Sequence, residues 1–187
     1  MKELIAVAKK YADLERDRIW ADAMKKALQE RESLAVKGLT SSSARLWTMT
    51  AICEDSIRDH GAATWQVLYD LLESSPRHYY RPREVDQIRE FVRSRFAAPP
   101  DQENNFLCDE SVSANQQNTP FHNKALLQLA ETHTTTRERL DAEVDKYFCT
   151  RRSVVRWFME FTQHPVISHG VIFALGLAAS SLFKGCG

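Results

Sequence analysis

The chain has 187 residues, enough for one good core and a small appendage. Lys plus Arg and Asp plus Glu each number 25, so net charge exerts no overall pull toward nucleic acid. Apolar residues make up 43%, which excludes a chain disordered as a whole, and the 6 Gly and 6 Pro stand among frequent Ala, Leu, Glu, Arg and Lys, an all-α composition.

Taken in order, residues 2 to about 37 predict one long helix. Leu4, Val7, Tyr11 and Leu14 follow a 3-4-3 spacing, and Ile5, Ala8, Ala12, Ile19 and Ala23 form a neighbouring stripe. Charges crowd the remaining face, and the heptad breaks at Arg18, which argues against an extended coiled coil. Gly38 ends this helix, and Thr40 to Ser43 offer N-cap hydroxyls for the next. That second helix carries Leu46, Trp47, Met49, Ile52, Cys53 and Ile57 and is expected to close at His60-Gly61. A third is expected from about Ala62 to Glu73, burying Trp65, Leu68, Tyr69 and Leu72, with Pro76 beyond its end.

Pro82 suits the first turn of a helix to about Phe96 whose apolar face is Val85, Ile88, Phe91, Val92 and Phe96. Arg77, Arg81, Arg83, Arg89, Arg93 and Arg95 make this the most basic stretch, and Tyr79 and Tyr80 lie within it. Guanidinium groups bond phosphate and rings stack on bases, so Arg77, Arg81, Arg83, Arg89 and Arg93 are candidates for contacting RNA. The competing reading is salt bridging between helices or subunits. Residues 97–120 are polar, acidic and aperiodic and read as a long loop, with Phe106-Leu107 as its point of contact. From Phe121 to Gln163 the helical pattern returns, carried by Leu126, Leu129, Leu140, Val144, Tyr147, Val154, Phe158 and Phe161, and Pro165 predicts a kink after it.

The C-terminal stretch differs from all of this. From Phe161 to Phe183 there is no Asp, Glu, Lys or Arg. A helix from Pro165 to Phe183 would be about 28 Å long, close to the ~30 Å hydrocarbon core of a bilayer. Gly170, Ala174 and Ala178 fall on one stripe with Ser181 close to it, and His169 begins a second, weakly polar stripe. Small stripes let helices approach closely in lipid, and polar positions there prefer another helix or water. A helix buried in a soluble bundle or oligomer fits the same pattern, and both readings point to self-association. Lys146, Arg151, Arg152 and Arg156 precede the stretch and Lys184 alone follows, so the positive-inside bias places the body on the cytoplasmic face. The short apolar run at the N-terminus does not make a signal peptide, which also predicts a cytosolic body; the alternative is a soluble cytoplasmic protein.

The organisation expected is therefore a helical bundle part over 1–96, a polar loop over 97–120, a long helix over 121–163 completing the bundle, and an apolar tail over 164–187 of membrane-spanning length. Cys53, Cys108, Cys149 and Cys186 form no CxxC pair and no zinc spacing with histidine, and neither metal nor cofactor is expected. There is no P-loop, dinucleotide glycine fingerprint, HExxH or GxSxG. The nearest catalytic echo is Arg156 and His164, with seven residues between them. HEPN ribonucleases pair an arginine with a histidine a little downstream, at a shorter separation than this.

In its size, all-helical character, single apolar segment and the pair Arg156 and His164, the chain resembles the small helical membrane accessory proteins encoded beside RNA-guided type VI CRISPR nucleases. The resemblance covers the layout of the whole chain and no diagnostic motif. It implies a self-associating, pore-forming membrane effector that strengthens antiviral interference beside a nuclease partner. The rival expectations are a soluble RNA-binding or HEPN-like ribonuclease module and a structural adaptor.

Overall fold

The computed structural model describes residues 1–75, 80–97, 101–117 and 119–151. Within them lie five α-helices: α1 (Lys2–Val36), α2 (Ser43–Ser74), α3 (Pro82–Arg95), α4 (Asp101–Ser113) and α5 (Pro120–Arg151). By its contacts the chain forms two units, Met1–Lys146 and Tyr147–Gly187. In the second, the described residues are the last turn of α5, where the rings of Tyr147 and Phe148 meet edge to face at 5.0 Å. The expected helix to Gln163, the kink at Pro165 and the apolar tail fall outside the described residues beyond Arg151.

In the first unit, α1 turns a stripe of small residues inward. Ala8, Ala12, Ala23 and Ala27 are buried with Leu34, while Val7, Tyr11 and Leu14 stand outside. The second of the two stripes read from the sequence is therefore the core stripe, because alanines let α2 lie close. Two bonds close α1: Leu39 N–H donates to Leu34 O at 2.9 Å and Gly38 N–H to Ala35 O at 3.0 Å. This is the Schellman pattern, and it requires the positive φ of +70° that Gly38 adopts without strain. Ser42 is the N-cap residue of α2, but its hydroxyl bonds Leu39 O rather than capping the helix.

α2 runs unbroken through His60-Gly61, where the sequence predicted a stop. Gly61 is buried and its φ is not in the left-handed region, so it caps nothing. A Cβ there would lie 2.3 Å from Cγ2 of Thr136, so the glycine marks close approach of α5. The two helices expected on either side of Gly61 are one.

α4 is the second correction. Residues 101–113, read from sequence as part of a loop, are helical, and Glu103, Leu107, Glu110 and Ser111 form the buried face. Only one of these is a large apolar residue, so apolar periodicity misses the helix. Its buried carboxylates are met by α1 and α2, as described below.

Cross-contacts fix the directions of the helices. Lys26 meets Asp55, and Asp13 reaches the cluster at His60 through Arg95, so α1 is antiparallel to α2. Thr132 bonds Glu54 and Thr136 lies against Gly61, so α5 runs parallel to α2. Arg93 pairs with Asp141 and Arg89 with Asp145, so α3 is antiparallel to α5. One core cluster joins Met49, Ile52, Cys53 and Ile57 of α2 to Ala23 and Ala27 of α1, Leu107 of α4 and Ala125 and Leu129 of α5.

Candidate functional site

Titratable groups meet inside the first unit in two clusters. The first sits where α1, α2, α5 and the end of α3 converge. The Arg95 guanidinium, 11% exposed, pairs with Asp13 through Nη1 and lies 3.5 Å from His60 Nε2 through Nη2. The Phe96 ring packs 5.1 Å from the His60 ring and 5.3 Å from the His133 ring. Burial lowers the His60 pKa to about 4, helped by the positive charge of Arg95 and Arg16. Burial, with Arg137, also lowers that of His133. His60 is thus neutral near pH 7 and accepts from Arg95. Arg95 Nε has no hydrogen-bond partner among the described residues.

The second cluster holds α4. Glu110, almost fully buried, accepts from Arg31 at Oε1 and from Arg45 Nε at Oε2, the latter at 2.8 Å. Arg45 also donates to Thr40 O at 3.2 Å, and the Arg31 guanidinium lies 5.3 Å over the Phe106 ring. Trp20 meets Phe106 edge to face at 6.0 Å. Two turns earlier, burial raises the Glu103 pKa, opposed by a backbone hydrogen bond at Glu103, by Arg16 and by a hydrogen bond from Ser56, and Glu103 Oε2 has no partner among the described residues. Burial together with Glu103, Glu110 and Glu54 pushes the Cys53 thiol up, so Cys53 is an inert thiol.

Chemically, the first cluster is a poor catalyst. A neutral imidazole of this low basicity gives little general-base power at pH 7, and Arg95 is committed to Asp13. Neither residue lines either of two surface grooves. One, of about 520 Å³, runs between α1 and α2 past Arg18, Asp22, Lys26, Asp55, Ser56 and Asp59. The other, of about 190 Å³, lies between α2 and α5 past Arg58, Trp65, Gln66, Thr136 and Arg139. Among the described residues no group of three His, Cys, Asp or Glu is placed to hold a metal.

The basic stretch separates into two parts. Arg89 bonds Asp145 at 2.6 Å, which raises its pKa further, and Arg93 meets Asp141 at 3.3 Å. Arg81 and Arg83 are exposed at the start of α3, where Arg81 N–H donates to Glu84 at 2.9 Å. Arg77 lies outside the described residues. So do Arg156, His164, His169, Gly170, Ala174, Ala178 and Ser181. Among the described residues no helix is long and apolar enough to cross a membrane.

Sequence reasoning missed both clusters. Asp13, His60 and Arg95 come from three helices and share no linear motif, and Glu110 sat in a stretch read as loop. A signal was present in the second case: Glu103, Leu107 and Glu110 keep helical spacing. No family model matches the chain, and no curated protein or solved structure matches it.

Proposed function

We propose that the protein is a self-associating, non-enzymatic helical body that acts at a membrane through its C-terminal apolar stretch. The observation that carries this is the absence of Asp, Glu, Lys and Arg from Phe161 to Phe183. It is supported by how the body uses its cations: Arg31, Arg45, Arg89, Arg93 and Arg95 all pair with acids of the body. The antiviral setting, with a pore beside an RNA-guided nuclease, rests on the resemblance alone. The test is flotation of the full chain with lipid vesicles, followed by a carbonate wash. The full chain should float and resist the wash, and Val171→Asp with Leu175→Asp should not float. A full chain that stays in the soluble fraction overturns the reading.

A second reading, contact with RNA, is favoured by one feature: Arg81 and Arg83 are exposed and make no ion pair among the described residues. Binding of this kind falls steeply with salt as counterions are released. Arg81→Glu with Arg83→Glu should abolish it, and no binding at low salt ends this reading.

A further inference from the structure

We propose that the outer face at the start of α1 is a seam by which two copies of the chain recognise each other, through parallel, in-register α1 helices. Val7, Tyr11 and Leu14 are 40%, 53% and 55% exposed, and Leu4 is half-buried beside them. They form a stripe beside that of the buried alanines and turned further from the core, so the first unit leaves Val7, Tyr11 and Leu14 largely uncovered. Their 3-4-3 spacing is that of the a and d positions of two heptads, the pattern by which one helix packs along another.

The flanking charges select the partner and its direction. Lys10 and Glu15 occupy a g position and the e position that follows it, so in a parallel pair each Lys10 faces Glu15 of the other copy. An antiparallel pair instead brings Lys10 to Lys10 and Glu3 to Asp17, like charges on like. Glu15 now bonds the exposed Arg18 of its own helix, a surface contact easily exchanged. Arg18 stands at the next a position and ends the seam after two heptads. Along its edges Glu3, Glu15 and Asp17 outnumber Lys10 and oppose docking on an anionic lipid surface.

Chain direction agrees. Because α1 is antiparallel to α5, α5 runs toward the end of the first unit at which α1 begins, and the charge-free stretch follows in sequence. A parallel pair sets both exits on one side, as a single bilayer requires, and an antiparallel pair sets them apart. So short a seam is weak between free chains, and confinement to a membrane raises the effective concentration that it needs. That last step rests on the membrane reading; the seam itself does not.

The test mixes unlabelled and isotope-labelled full-length chains in vesicles of neutral and anionic phospholipid. A zero-length carbodiimide then couples amines to carboxylates, and mass spectrometry seeks mixed-isotope peptides joining Lys10 to Glu15. They should appear, and Leu14→Glu should abolish the linked dimer while helical circular dichroism stays unchanged, since Leu14 is exposed. Lys10→Glu alone or Glu15→Lys alone should lose it, and the two together should restore it. A dimer that survives Leu14→Glu, or charge swaps that fail to rescue each other, overturns the seam. Flotation is read on the same samples. Chains that float without linking overturn the seam alone, and chains that link in solution without floating overturn the membrane reading alone. Chains that do neither overturn both.

Discussion

The Glu110 clamp and the α3–α5 seam use the same chemistry, arginine against carboxylate, in opposite surroundings. At the clamp, Glu110 is 2% exposed and Arg45 15%. On the seam, the carboxylates Asp145 and Asp141 are 55% and 29% exposed, against 2% for Glu110. A buried carboxylate stripped of partners is left with an uncompensated desolvation cost, whereas an exposed one is rescued by water. The number of ion pairs therefore says little about stability, and their burial says most of it. The clamp holds a helix whose own apolar face is too thin to dock. The seam decorates two helices that Val85, Ile88, Val92, Leu140 and Val144 already bury.

The strongest way to break this comparison is at the clamp. Glu110→Ala leaves Arg31 and Arg45 facing each other without their anion, and should cost about 3–5 kcal/mol. Chemical denaturation measures the loss, and hydrogen exchange should place it first in α4. A loss no larger than that of a seam variant would remove the distinction between the two regions.

Titration sharpens the contrast, because only buried groups are displaced enough to matter. His60 is held neutral in the fold, with its pKa lowered from 6.5 to about 4. The unfolded chain takes up that proton first as pH falls. The stability tied to neutral His60 is therefore present above about pH 6.5 and is lost on going down toward about 4, by at most about 3 kcal/mol. Glu103 acts oppositely: its raised pKa favours the protonated fold, so it adds stability as pH falls. His60→Asn should flatten the acid-side decline. Glu103→Gln should steepen it while raising stability at neutral pH. Thermal unfolding of the three proteins at a series of pH values checks both signs.

Packing supplies a third comparison, free of charge. Gly61→Ala improves helix propensity by about 1 kcal/mol, but its methyl meets Cγ2 of Thr136 at 2.3 Å. The clash should win and destabilise by about 1–3 kcal/mol. Thr136→Ser removes that methyl, so the double variant should recover most of the loss. No recovery in urea denaturation would locate the strain elsewhere.

The smallest effects belong to the exposed seam. Arg93→Ala should cost about 0–1 kcal/mol, and Arg89→Ala somewhat more within that range, since Arg89 is the less exposed partner. Both losses should shrink in high salt. A salt-independent loss well above that range would place the seam among the structural clamps.

Local pattern determined much of this protein on its own. The extents of α1 and α3 and the Gly38 stop follow from apolar spacing, Pro82 and the backbone freedom of glycine, all of which act within a few residues. The apolar face of α3 was legible to the last residue, because Val85, Ile88, Phe91, Val92 and Phe96 have one periodicity and no rival. Tertiary structure decided the rest. Gly61 reads as a stop until α5 is seen to need its missing side chain. Residues 101–113 read as loop because their buried face is acidic, and only Arg31 and Arg45, arriving from two other helices, make that face tolerable. Of the two stripes on α1, the smaller became the core, because close approach between helices favours alanine over tyrosine and leucine. The His60 cluster had no linear trace, since it is assembled from residues far apart in the chain. Burial and pairing are properties of the packed molecule, and they set both the charge state of His60 and the energetic weight of Arg31, Arg45, Arg89, Arg93 and Arg95.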